Sequence, residues 1–207
     1  PLFFSGNLYA RAKYPAVLLT VAAFCLAASA IYLVNDVIDR EADRQHPLKC
    51  RRPIAAGRLG VRSALSAAAL LTAAGWILAW QVNRATAACV AAYSVLTLAY
   101  CLALKRVLLL DAITIAAGFV LRAVAGAVAI QVYISHWLVV CTFSLAMFLA
   151  LGKRLYELHL LGDNAELHRK VLFDYSEGLL KSAILATGLV TLATYALYTV
   201  YPLMGTP

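Results

Sequence analysis

Six stretches of this sequence each carry roughly 17 to 25 largely apolar residues, the length an α-helix needs to cross about 30 Å of hydrocarbon at 1.5 Å per residue. They cover 15–35, 64–82, 86–104, 107–130, 136–152 and 179–201. Lipid offers no partner for backbone N–H and C=O groups, so an all-α, polytopic bundle is expected. Composition agrees: 63% of the 207 residues are hydrophobic and 14% charged, outside the range of soluble globular domains. No soluble domain interrupts the pattern, and 1–207 reads as a single transmembrane domain. Small residues are frequent within the spans, which lets helices pack closely where lipid removes the hydrophobic drive between them.

The net charge of +8 does not point to nucleic acid, because the basic residues lie between apolar spans. Residues 36–63 hold seven of them (Arg40, Arg44, Lys49, Arg51, Arg52, Arg58 and Arg62), whereas the next connection has only Arg84. Lys105 and Arg106 follow the third span, and Lys153, Arg154, Arg169 and Lys170 follow the fifth. The positive-inside rule then puts 36–63, 105–106 and 153–178 in the cytoplasm and both ends of the chain outside. Five cysteines are scattered without metal-ligand or redox spacing and read as small packing residues. The start, PLFFSGNLYARAKYP, has no signal-peptide pattern and no initiator Met, so the chain is expected to begin partway through a longer protein. Trp76, Trp80 and Trp137 are expected at membrane interfaces.

Nine of the ten acidic residues fall in two of the expected cytoplasmic segments. Asp36, Asp39, Glu41 and Asp43 are in the first; Glu157, Asp163, Glu166, Asp174 and Glu177 are in the other. If the first helix continues past the membrane boundary, 36, 39 and 43 fall within about 60° of one another, with Asn35 and His46 near the edge of that arc and Glu41 pointing away. Clustered carboxylates repel one another unless a cation joins them. Magnesium suits them, since Mg²⁺ prefers hard oxygens and commonly bridges one or two carboxylates to a substrate phosphate. Lys49, Arg51 and Arg52 are then candidates for the outer phosphate oxygens. The competing readings are an exposed ion-pair network, a topological role for the basic residues, and a plain turn for His46 before Pro47.

The run Asn35-Asp36-x-x-Asp39-x-x-x-Asp43, followed by Arg52-Pro53, resembles the first signature of the UbiA superfamily of intramembrane prenyltransferases. That resemblance implies a bundle of about nine spans in which the aspartates hold Mg²⁺ on a diphosphate. DREADRQHPLKCRRPIAAG, YCLALKR, LRAVAGAVA and LGKRLYELHL extend it along nearly the whole chain. They resemble the branch that transfers 5-phosphoribose from phosphoribosyl diphosphate to decaprenyl or another polyprenyl phosphate, toward lipid-linked arabinose donors of the bacterial cell envelope. Six spans against about nine imply further helices from the rest of a longer protein or from neighbours, a second copy included.

Prenyltransferases of the superfamily carry a second aspartate-rich motif, and the corresponding stretch here reads LGKRLYELHLLGDNAELHRK. Lys153, Tyr156 and Glu157 share one helical face with Arg154 beside it. The cations suit a 5-phosphate and Tyr156 or Glu157 the ribose hydroxyls, so this stretch is expected to form the other half of a phosphoribose-transfer chamber. Asp111 and Arg122 lie about 20° apart on one helix, roughly 16 Å along it, and intramembrane charges usually face an interior or a watery cavity. Arg122 is read as a phosphate ligand or as one member of a buried structural pair; Tyr100 and Lys105 are further substrate-binding candidates. Two alternatives stay open: prenyl transfer from a prenyl diphosphate to an aromatic or other small acceptor, and transport. Against transport, the sequence has no internal repeat and no paired broken helices.

Overall fold

The computed structural model describes residue 7 and residues 9–107, 109–161 and 176–200. Asp163, Glu166, Asp174, Arg169 and Lys170, read above as part of a charged cytoplasmic segment, lie outside the described residues. All regular structure among the described residues is helical. Seven α-helices follow one another among the described residues: α1 (Tyr14–Ile38), α2 (Arg40–Gln45), α3 (Val61–Val82), α4 (Arg84–Leu102), α5 (Leu110–Ala129), α6 (His136–Leu161) and α7 (Glu177–Val200). Apart from the short α2, each is long and apolar enough to cross a membrane, so the expected spans are all present as helices in a multi-pass membrane protein. The chain divides into two compact units, 1–102 and 103–207.

In the first unit α1 packs against α3 and α4, and α3 against α4. The contact is made by small residues at helical spacing. Ala23, Ala27 and Ala30 on α1 and Ala64, Ala68 and Ala79 on α3 are almost wholly buried. Gly75 completes the α3 stripe: a Cβ there would lie 3.0 Å from the carbonyl oxygen of Ala23, so the two backbones approach as closely as a hydrogen side chain allows. Phe24 and Tyr93 meet edge-on at 5.2 Å between ring centroids and join α1 to α4. Asn83 alone turns α3 into α4. Its backbone N–H still bonds Ala79 O at 3.3 Å, while its side-chain Oδ1 caps α4 by accepting from the Thr86 N–H at 2.7 Å.

In the second unit α5 packs on α6 and α6 on α7 around Ala112, Ala116, Ala146, Met147, Ala150, Leu151 and Leu180. Thr191 Oγ1 donates to Ser144 Oγ at 3.1 Å, a polar tie between α7 and α6. Two element ends differ from the sequence reading. The fourth span starts at Leu110 and not at 107, because Leu109 adopts φ 63° and so cannot continue a right-handed helix. The fifth does not stop at 152: α6 runs to Leu161, which puts Lys153–Glu157 on a helix continuous with the membrane span. Trp76, Trp80 and Trp137 are all exposed.

Candidate functional site

The carboxylate stretch begins at the end of α1. Ile38 is its last residue, and Asp39 (φ −86°, ψ 3°) forms a joint before α2. The backbone ladder nevertheless crosses it: Asp39 N–H bonds Asn35 O at 2.8 Å and Asp43 N–H bonds Asp39 O at 2.8 Å. Helical register is therefore kept across the break, and Asp36 and Asp43 end up close enough to share one partner.

That partner is Arg52. Its Nη1 donates to Asp36 Oδ1 at 2.9 Å and to Asp43 Oδ2 at 2.8 Å. Asp43 is 4% exposed, and the Asp36 side chain 25%. The intervening chain is folded to deliver this arginine. His46 Nδ1 accepts from the N–H groups of Leu48 and Lys49 at 3.1 and 3.3 Å, a short 3₁₀ turn covers Lys49–Arg51, and Arg52 takes the extended conformation (ψ 141°) favoured before proline. Ile54 and Ala55 are buried just beyond, and Arg44 Nε bonds Ala55 O at 3.1 Å.

The arrangement revises several sequence expectations. Arg52, expected at the outer phosphate oxygens, uses Nη1 to hold the two aspartates. His46 Nδ1 is committed to the turn, so its ring positions the Lys49–Arg52 segment. Lys49 and Arg51 stay on the exposed side of that turn. Glu41 points away as expected and pairs with Arg44 at 3.1 Å. Sequence reasoning passed over Arg40, which lies about 40° beyond Asp36 at the edge of the aspartate arc: its Nε is buried and has no hydrogen-bond partner. A donor with no partner calls for an acceptor supplied from elsewhere; the only sequence signal was its place beside the arc.

Among the described residues no three His, Cys, Asp or Glu side chains stand close enough to enclose a metal ion. The donor chemistry fits Mg²⁺ in another way. Carboxylates on one helical face can supply one or two ligands to an ion whose remaining oxygens come from a bound diphosphate and water.

In the second unit Asp111 is fully buried on the first turn of α5, where its Oδ1 accepts from the Ala112 N–H at 2.7 Å. Arg154 of α6 pairs with it: Arg154 Nε donates to Asp111 Oδ2 at 2.6 Å, and Arg154 Nη1 donates to Glu157 Oε2 at 2.6 Å. Arg154 is 2% exposed. It is thereby removed from the set of side chains that could meet a phosphate directly, because burial and two carboxylates hold it in place. Lys153 and Tyr156 are about two-thirds exposed, and Glu157 a quarter, its Oε1 4.0 Å from Lys153 Nζ. Arg122 is exposed and lies over the Phe119 ring, 5.1 Å from its centroid. Tyr100 at the end of α4 and Lys105 in the 3₁₀ turn Leu104–Arg106 are both half-buried.

A helical membrane unit with an aspartate-rich helix end and an Arg-Pro turn folded back on it is the signature of a known class, and the family comparison agrees: the chain belongs to the UbiA prenyltransferase family, whose pattern matches residues 2–206. Among individual relatives it is 39% identical over 175 residues to the decaprenyl-phosphate phosphoribosyltransferase of Mycolicibacterium smegmatis, a match covering 84% of this chain and 55% of the relative. The protein of that name from Corynebacterium glutamicum is 39% identical over 177 residues, covering 84% and 53%. The chain thus spans just over half the length of these curated relatives. A solved UbiA homolog from Archaeoglobus fulgidus, bound to GPP and Mg²⁺, superposes with a TM-score of 0.76 at 19% identity, covering 93% of this chain and 68% of that one. At that identity the likeness is one of fold.

Proposed function

We propose that this chain is part of a transferase that moves 5-phosphoribose from phosphoribosyl diphosphate to a polyprenyl phosphate such as decaprenyl phosphate, with Mg²⁺ as cofactor. The observation that carries this reading is the exposed face of α6. Lys153, Tyr156 and Glu157 stand where a second aspartate motif would serve prenyl diphosphates, and a cation beside hydroxyl-binding groups suits a sugar phosphate. The likeness to relatives named for this activity supports it.

Asp36, Asp39 and Asp43 would hold the ion with the donor's diphosphate. When bound, Mg²⁺ supplies neutralisation of the charge that builds on departing diphosphate. Arg52 keeps Asp36 and Asp43 together, and Arg40 offers a donor to a phosphate oxygen. In the reaction the bond between the anomeric carbon and diphosphate breaks, its electron pair leaving with diphosphate. A lipid-phosphate oxygen forms the new bond to that carbon. This oxygen is already anionic, so the step requires no protein base. The density of cationic residues in 36–63 supports a cytoplasmic face for this chemistry. The product would feed lipid-linked arabinose donors.

The test supplies labelled phosphoribosyl diphosphate and decaprenyl phosphate to the purified protein. Mg²⁺-dependent labelling of the lipid, lost in Asp39→Ala, is the expected result. The family's own chemistry favours one other reading, prenyl transfer from a prenyl diphosphate to a small acceptor; label entering product only from a prenyl diphosphate would establish that reading instead.

A further inference from the structure

Arg40 opens α2, and its helical neighbours include two acids: Asp36 four positions before it and Asp43 three positions after, the spacings at which helices form ion pairs. The fold gives both acids to Arg52 instead, whose Nη1 arrives from the far side of the turn, and the next basic residue, Arg44, pairs with Glu41. The Nε of Arg40 is meanwhile enclosed by protein and meets no acceptor.

A buried N–H without an acceptor opposes folding, since the water lost from it is not replaced. The chain nevertheless keeps a half-buried guanidinium here, and a guanidinium is a planar fork suited to phosphate oxygens. A bare anion would be repelled by the aspartates alongside; one that arrives with a divalent cation is not, because the ion bridges carboxylate and phosphate. Position separates the two phosphates of the proposed reaction. The first membrane-spanning segment ends at Ile38, so Arg40 lies outside it, about one helical turn beyond Asp36. The lipid phosphate is held to the bilayer by its tail, whereas phosphoribosyl diphosphate is water-soluble and approaches from beyond the span.

We propose that Arg40 is a specificity-determining residue: its Nε–H is reserved for an oxygen of the metal-bound diphosphate and takes no part in holding the lipid phosphate. The inference rests on the reading of this helix end as a Mg²⁺–diphosphate site, and it deepens that reading by separating phosphoribosyl diphosphate from the acceptor. It also makes Arg40 a residue that the folded chain tolerates and does not need.

Two variants of the purified protein test it. Arg40→Met keeps the stem and removes the guanidinium; Arg40→Lys keeps the charge without an Nε. The probes are inorganic diphosphate with Mg²⁺ and, separately, decaprenyl phosphate, with binding followed by calorimetry and the unfolding temperature read without ligand. Both variants should bind Mg²⁺–diphosphate about tenfold or more weakly, the effect of one lost charge-assisted hydrogen bond, and decaprenyl phosphate within about twofold of the parent. The ligand-free unfolding temperature of Arg40→Met should stay level or rise, because the deleted N–H bonded nothing. A lower unfolding temperature with unchanged diphosphate affinity would make Arg40 a structural residue and overturn the proposal. Weaker binding confined to decaprenyl phosphate, equal losses for both probes, or failure of both variants to fold would overturn it as well. A parent that binds no Mg²⁺–diphosphate would overturn the reading of the site together with this inference. A parent that binds it yet transfers only prenyl groups would overturn phosphoribose transfer and leave the Arg40 contact to diphosphate standing.

Discussion

Arg52 reaches back across the turn to donate a 2.8 Å hydrogen bond to Asp43, whose carboxylate is otherwise almost sealed from solvent. Removing the guanidinium leaves that buried acceptor facing another carboxylate, Asp36. Arg52→Ala should therefore destabilise the protein by about 1.5–3 kcal/mol, the range for hydrogen bonds to charged groups. Arg52→Lys, which keeps a cation on a flexible stem, should recover part of it. Unfolding temperatures in one detergent measure both. An Arg52→Ala protein as stable as the parent would mean that this contact is not made.

The aspartates lead to a metal prediction. Chelation of divalent cations should abolish transfer, and added Mg²⁺ should restore it, because the single charge of Arg52 cannot offset the aspartates and a diphosphate together. Asp36→Asn should raise the Mg²⁺ concentration for half-maximal rate by tenfold or more. Full activity in excess chelator would remove the metal from the proposed function.

On α6, Lys153→Ala should raise the KM for phosphoribosyl diphosphate by roughly tenfold or more, as expected for one lost charge-assisted contact to phosphate. Lipid-substrate KM should change little. Equal increases for both substrates would show a general disturbance of α6 and not loss of a donor contact.

Two glycines make a contrasting pair for packing. Gly75→Ala forces a methyl against the Ala23 carbonyl at 3.0 Å and should cost about 1–3 kcal/mol, the usual range for overpacking. Gly152 lies within α6 with open space where its Cβ would be, so Gly152→Ala should be neutral or stabilising by up to about 1 kcal/mol through helix propensity alone. Parallel melts decide, and equal effects would contradict the close approach of α1 and α3.

The spans were readable because lipid forces apolar runs into helices, and Asp36 and Asp43 because helical periodicity carries across the Asp39 joint. What escaped sequence reading was pairing over distance. Asp111 was expected to face an interior or a watery cavity, but periodicity along its own helix names no partner for it; Arg154, to which it is bonded, lies 43 positions away on α6. Arg52 was recognised as belonging to the site, yet its role depends on a turn made by His46, Pro47 and the 3₁₀ segment that no residue spacing announces. The extension of α6 to Leu161 was hidden because polar residues follow the apolar run, although they continue the same helix.

The turn at Asn83 sets a rule for how this region can change over evolution. One residue closes α3 with its backbone and opens α4 with its side chain, so there is no slack in the connection. An insertion would free the Thr86 N–H from its cap, and a deletion would remove the one residue that separates α3 from α4. Length variation among homologous chains should therefore collect elsewhere, and tags or fusion points should be kept away from Asn83.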